Sequence, residues 1–249
     1  MNVFLSTLKS EFLDLVFPVD CLLCREQPAL HSHTPVCGTC LTQLTPTGSF
    51  DTCLRCAATV GPYTADETGC PLCRGVTYDF EEVVTLGRYQ GLLAQTCVNA
   101  KKPRNHAIAR LLTRMLFEKH RQRLRDWSAD VIIPIPNHWW KRLRRENSAP
   151  IWIAHELGQL LKTPVRRRVV IQHKPSQDQH NIKDVLQRRR NVRHVYKAFP
   201  SKHIQDRTIL IVDDIMTSGE TLHHVAKLLK ANGAHTVYAV AIARGQGKT

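Results

Sequence analysis

Residues Ile209 to Leu222 constrain this chain more tightly than any other stretch. An apolar run, Ile209 to Val212, leads to Asp213 and Asp214, then to Ile215 and Met216. The turn Thr217-Ser218-Gly219-Glu220-Thr221 follows, and a helical pattern begins at Leu222. The apolar run reads as a buried strand with the acids at its C-terminal end. The turn then sits on a helix N-terminus, where unpaired N–H groups and the macrodipole favour a phosphate. Gly219 permits a positive φ or close backbone approach, and Thr217, Ser218 and Thr221 can each donate a hydroxyl hydrogen bond. Ionised Asp213 and Asp214 only accept, which suits vicinal sugar hydroxyls or a hydrated Mg²⁺. In an open α/β sheet such a site lies beyond the carboxyl ends of the strands. The expectation is a sugar phosphate, with the acids on its ribose hydroxyls and the turn on its 5′-phosphate.

Blander readings fit less well. Receiver-domain acids do not lead straight into a Thr-Ser-Gly-x-Thr turn. A nucleotidase strand needs G-x-x-x-x-G-K-[ST] nearby. The tail Gly245-Gln246-Gly247-Lys248-Thr249 imitates it, but Ile242 stands where the first glycine belongs. A helix cap alone explains Thr217 or Ser218 but not the paired acids. The segment resembles the PRPP-binding motif of type I phosphoribosyltransferases, an apolar run, Asp-Asp, two residues, then Thr-[Ser/Thr]-Gly-x-Thr. That resemblance implies an α/β fold, a type I phosphoribosyltransferase-like parallel sheet flanked by helices. It also implies Asp213 and Asp214 on the ribose and Thr217, Ser218, Gly219, Glu220 and Thr221 around the 5′-phosphate.

The second constraint is a block of cysteines. Cys21/Cys24, Cys37/Cys40, Cys53/Cys56 and Cys70/Cys73 form four C-x₂-C knuckles. Two thiolates at this spacing chelate one metal from a tight turn, and two such turns complete a tetrahedral Cys₄ site. Four knuckles therefore suggest two zinc ions in a double ribbon, with neighbouring knuckles paired as the working assumption. The segment lacks the apolar mass to fold alone, and metal binding would contribute on the order of 10 kcal/mol or more per site. Disulfides need an oxidising compartment, and redox C-x-x-C motifs usually come singly. His31 and His33 read as surface residues and Cys97 as a core thiol.

The rest of the chain alternates strand and helix signals. The expected elements are a strand over 82–89, a short helix over 91–99, a basic turn at Lys101-Lys102-Pro103-Arg104, and an amphipathic helix over 107–124. A strand over 131–136 follows, then a helix over 150–161 opened by Pro150, a short strand over 169–171 and a mobile loop over 172–191. After the motif come a helix over 221–230, closed by Asn232-Gly233, and a last strand over 236–243. Alternation of this kind argues for a parallel sheet. The expected division is an N-terminal helix plus double zinc ribbon over 1–79 and a phosphoribosyltransferase-like domain over 80–249.

Taken in order, the knuckles, Ala100-Lys101-Lys102, Ile133-Pro134-Ile135-Pro136, the arginine-rich stretch with Asn147, and Arg189-Arg190-Asn191 before the motif resemble the ComF (GntX-like) family. The family implies a protein of DNA uptake and natural transformation that handles imported single-stranded DNA. This chain departs from it at Arg144-Arg145-Glu146-Asn147-Ser148, where the family usually reads Arg-Gly-Phe-Asn-Gln. It departs again at Lys102-Pro103, where an aromatic residue is common. The resemblance implies PRPP with Mg²⁺, Asp213, Asp214 and Lys101 as the catalytic set, and Lys101 or Lys102 on the pyrophosphate.

A net charge of +14 favours anionic partners. Arg142-Leu143-Arg144-Arg145 beside Trp139 and Trp140, Arg166-Arg167-Arg168 and Arg188-Arg189-Arg190 are candidate contacts for single-stranded DNA. This supports an alternative reading, a non-catalytic DNA-binding adaptor with a vestigial PRPP site. The ribbon could also dock on a competence ATPase or a recombination mediator at the inner membrane face. No run approaches the roughly 20 apolar residues of a membrane span. Met1 to Phe17 is amphipathic without signal-peptide features. The expected location is cytoplasmic, with peripheral membrane contact as the lesser option.

Overall fold

The structure, a computed structural model, describes residues 20–26, 35–44, 51–61, 64, 69–102, 105–136, 148–172, 195–199 and 201–245. The N-terminal helix expected over Met1 to Phe17 lies outside these residues. So do His31, His33, Pro103, Arg104, Trp139, Trp140, the 142–145 arginines, Asn147, the 188–190 arginines, Asn191 and the tail beyond Gly245.

The cysteine region supplies one short helix, α1 (Gly38–Leu44), and an antiparallel hairpin of β1 (Asp51–Thr52) and β2 (Thr59–Val60). Next come β3 (Val83–Arg88), α2 (Gly91–Ala100), α3 (His106–Asp126), β4 (Val131–Pro134) and α4 (Ala149–Leu161). The chain closes with β5 (Val170–Gln172), β6 (Tyr196–Ala198), β7 (Thr208–Met216), α5 (Glu220–Ala231) and β8 (Thr236–Arg244). Strands β3, β8, β7 and β4 lie in that order in one parallel sheet. Helices cover both of its faces, so the fold is α/β with a parallel sheet flanked by helices.

Side-chain alternation along each strand sorts the core into two halves. Val83, Ile133, Ile209, Ile211, Val237 and Ala239 face one side, where Leu222, Val225, Ala226 and Leu229 of α5 cover them. Val84, Leu86, Ile132, Leu210, Val212 and Val240 face the other, against Leu112, Leu116, Ile153 and Leu157 of α3 and α4. Runs of Val and Ile buried on both faces are what a parallel sheet requires.

Several boundaries differ from the sequence reading. Strand β7 continues through the acids to Met216, because β8 stays paired with it as far as Met216 opposite Arg244. Its other neighbour, β4, stops at Pro134 opposite Val212. The acids therefore lie within a strand yet clear the sheet along one edge. Helix α5 starts at Glu220, so Glu220 and Thr221 are its first residues and the turn proper is Thr217 to Gly219. Gln172, expected in a loop, is a buried strand residue paired with Tyr196. The β5–β6 pair was legible only in its first half, because three residues of Tyr196–Ala198 give too short an alternation.

Candidate functional site

Residues distant in sequence meet at the C-terminal end of β7. Asp213 Oδ1 accepts the Asp214 N–H at 2.8 Å. Asp214 Oδ2 lies 3.2 Å from Lys101 Nζ. Lys101 caps the C-terminus of α2, where a cation is favoured. Lys102 follows it, exposed. Burial, and then the adjoining Asp214 carboxylate, push the Asp213 carboxyl up to about 8. Burial works against the Lys101 ammonium, but Asp214 outweighs it and holds its pKa above the usual lysine value. The pair is thus an acid cluster short of positive charge, with one lysine meeting part of the need. Cys97 is buried nearby, its thiol raised to about 12 by burial and then by Asp214, so it is an inert core thiol.

Beyond the acids, Gly219 is the N-cap of α5 at φ 83°, and no side chain caps that helix. A Cβ on Gly219 would meet Met216 Cε at 2.6 Å and Tyr78 Cε1 at 3.0 Å. Glycine is therefore required here twice, for the left-handed backbone and for space. The Glu220 N–H points to Ser218 Oγ at 3.4 Å, and Thr217 is exposed. The structure brings Lys101 and Asp214 into contact and sets Thr217 to Thr221 directly after the acids. Tyr196 of β6 is an addition: burial first, then Asp213 and Asp214, raise its phenol pKa. Tyr78 and Arg244, which hold the turn from behind, were also missed; they lay at the edges of the expected elements, where periodicity says nothing.

The cysteines gather into two groups, Cys21, Cys24, Cys37 and Cys40, and Cys53, Cys56, Cys70 and Cys73, each with its sulfurs within 4.8 Å of one another. Neighbouring knuckles pair, as assumed. Sulfur separations of 3.8 Å for Cys24–Cys37, 3.7 Å for Cys53–Cys73 and 3.6 Å for Cys56–Cys70 match the edge of a tetrahedron with metal–sulfur bonds of about 2.3 Å. They are far longer than a disulfide of about 2.05 Å. Both groups could hold a structural metal.

A third feature is an open groove of about 480 Å³ lined by Arg166, Arg167, Arg168, Phe199, Ser201 and His203. Phe199 is 47% exposed there. Among the described residues no helix is long and apolar enough to cross a membrane.

The sheet, the acid pair and the turn define a phosphoribosyltransferase-type domain, and residues 157–249 match the family model described as a phosphoribosyl transferase domain. Competence protein F of Haemophilus influenzae is 26% identical over 235 residues, covering 92% of this chain and 98% of that protein. DNA utilization protein YhgH of Shigella flexneri is 28% identical over 226 residues, covering 90% and 96%. A purine phosphoribosyltransferase from Pyrococcus horikoshii is 21% identical, with 51% of this chain and 70% of that chain covered and a TM-score of 0.34. With two Cys₄ groups ahead of that domain, the chain is similar along nearly its whole length to the first two of these relatives.

Proposed function

We propose that this chain binds a ribose 5-phosphate group, with PRPP the leading candidate, and acts in DNA uptake and the use of imported single-stranded DNA. One observation carries the sugar-phosphate reading. A helix start with glycine at its N-cap, two acids and a lysine from a separate helix converge where β7 outruns its neighbour β4. Each part suits one part of the ligand. The N–H groups of the turn and the start of α5 meet the 5′-phosphate, with the Thr217, Ser218 and Thr221 hydroxyls in support. Asp213 and Asp214 accept from the ribose hydroxyls. Lys101, assisted by Lys102, neutralises the pyrophosphate once it exchanges its tie to Asp214 for the ligand. Mg²⁺ carried with PRPP would offset the charge of the pyrophosphate. Transfer from PRPP passes through a cation-like transition state, so positioning and charge neutralisation supply most of the rate and little acid–base work is needed. Zinc is the metal proposed for both Cys₄ groups, as thiolate chemistry and tetrahedral spacing favour it. The division into a ribbon over 1–79 and a transferase-like domain over 80–249 is part of the same proposal.

The groove at Arg166 to Arg168 favours a second reading, in which the chain is a DNA-binding adaptor and the PRPP site is vestigial. Clustered guanidinium groups and an exposed aromatic ring suit a single strand, whose phosphates and bases they would meet.

One calorimetric experiment separates the two. PRPP with Mg²⁺ is expected to bind the wild-type chain, and the double variant Asp213→Asn/Asp214→Asn to lose at least tenfold in affinity. Unchanged affinity in the double variant would remove this site assignment. If the wild type binds no PRPP but binds single-stranded DNA with a steep salt dependence, the adaptor reading replaces the first.

A further inference from the structure

The turn that follows the acids is held from behind by two side chains, Tyr78 and Arg244, and the second of these also bonds to the second cysteine group. Tyr78 lies just past the last knuckle. Its hydroxyl donates to the Ser218 carbonyl at 3.2 Å, and its ring fills the space a Cβ on Gly219 would need. Phe80 stacks on that ring at 4.8 Å, and His223 of α5 meets its edge at 6.4 Å. The Asp79 N–H in turn donates to His223 Nδ1 at 3.1 Å. From the other side, Arg244 at the end of β8 donates through Nε to the Cys56 carbonyl at 2.7 Å and through Nη1 to the Met216 carbonyl at 3.3 Å. The knuckle itself is anchored to the sheet, since the Val83 N–H donates to the Leu54 carbonyl at 2.8 Å.

These bonds bear on anion binding because the peptide unit is planar. A carbonyl and the following N–H share one rigid plane and point in opposite directions. Holding the Ser218 carbonyl towards Tyr78 turns the Gly219 N–H to the far side. Holding the Met216 carbonyl towards Arg244 and the Gly245 N–H, which donates to it at 2.8 Å, does the same for the Thr217 N–H. The donors of the turn are thus aimed by Arg244, which is braced on the Cys56 carbonyl, and by Tyr78, which follows the last knuckle in the chain.

We propose that Tyr78 and Arg244 are positioning residues that couple metal at Cys53, Cys56, Cys70 and Cys73 to the anion affinity of the Thr217–Thr221 turn. Metal in the second group and a ribose 5-phosphate group at the turn then reinforce each other. This rests on the reading of that turn as the phosphate cradle. The first cysteine group supplies an internal control. It packs against Val36, Leu111 and the knuckle leucines, and no hydrogen bond among the described residues joins it to the turn.

Coupling of this kind is reciprocal: the factor by which metal raises sugar-phosphate affinity is the factor by which sugar phosphate raises metal affinity. The test uses the full-length zinc-loaded chain, equilibrium competition with a chromophoric zinc chelator, and ribose 5-phosphate as the probe, whose own binding is measured by calorimetry. Saturating ribose 5-phosphate is expected to raise the chelator midpoint of one of the two ions about fivefold or more and to leave the other unmoved. Tyr78→Phe, which keeps the ring and loses the hydroxyl, and Arg244→Lys, which keeps charge but loses the fork, are expected to retain both ions and to abolish that shift. Their affinity for ribose 5-phosphate should fall by the same factor. If ribose 5-phosphate binds the wild type and neither midpoint moves, or if both variants keep the shift, the coupling is wrong while the site reading stands. If the wild type does not bind ribose 5-phosphate at all, the cradle reading fails and takes the coupling with it.

Discussion

The two cysteine groups share a motif and a spacing but not a setting. Cys21, Cys37 and Cys40 are buried and Cys24 is half-buried, in a small cluster that leans on Leu111 of α3 with Leu92 and Met115 alongside. All four members of the second group are 2% exposed or less, and they belong to the same core as Val83, Ile133, Met216 and Leu222. One group is therefore a staple on the outside of the helical layer, while the other is part of the layer that backs the sheet. The same C-x₂-C chemistry does two different jobs because of what each knuckle is pressed against.

The largest test of this contrast removes one ligand from each group. Cys73→Ser leaves a metal site incomplete inside the main core. Since a structural metal contributes on the order of 10 kcal/mol, more than the whole stability of many domains, this variant is expected to lose cooperative melting. Cys24→Ser breaks the peripheral staple. It is expected to lose one metal ion, keep a cooperative thermal transition lowered by several degrees, and keep sugar-phosphate binding. Circular dichroism melting with metal analysis checks both. Equal damage from the two changes would erase the distinction.

A smaller effect is expected from Gly219→Ala, which touches the joint between the second group and the turn. The left-handed φ alone costs about 1–2 kcal/mol for a residue with a Cβ. The methyl also collides with Met216 and the Tyr78 ring, so the turn must shift. The fold survives a change of this size, and the measured result should be a melting temperature lowered by a few degrees with a larger loss in ribose 5-phosphate affinity. Destabilisation without loss of affinity would mean that the turn is structural only.

Much of this architecture could be read from the chain. Val and Ile runs at 131–133 and 209–212 had to be buried strands, and Asp213-Asp214 ahead of Thr217-Ser218-Gly219 marked the candidate site. The four knuckles announced two tetrahedral groups through spacing alone. What could not be read was long-range geometry. Nothing in the sequence at Lys101 says that it meets Asp214, because that contact depends on where α2 ends against the sheet. Tyr78 and Arg244 each looked like the last residue beside an element. Their roles come from bonds to the backbone carbonyls of Ser218, Cys56 and Met216, and a carbonyl carries no sequence signature. Gln172 was misjudged because a polar residue in a three-residue strand gives periodicity nothing to work with.

The smallest effect tests the site from within and again separates the two groups. Asp213 titrates near 8 in the fold against a usual value of 3.8, raised by burial and by Asp214. Between those values the folded chain holds a proton that the unfolded chain has released, so this group's contribution to stability declines as pH rises from about 4 to about 8 and is level beyond. Asp213→Asn removes the titration. Its melting temperature relative to wild type should therefore climb from about pH 4 to about pH 8 and then level off, with the variant the more stable at the alkaline end. Cys24→Ser, which disturbs only the outer staple, should show the opposite slope against wild type, because the thiolate-bound metal it loses stabilises more as pH rises. A flat difference for Asp213→Asn would show that Asp213 is ionised throughout and that solvent or a bound cation reaches it freely. A melting temperature that climbs with pH in Cys24→Ser as well would instead show that the outer group, too, bears on the acid pair.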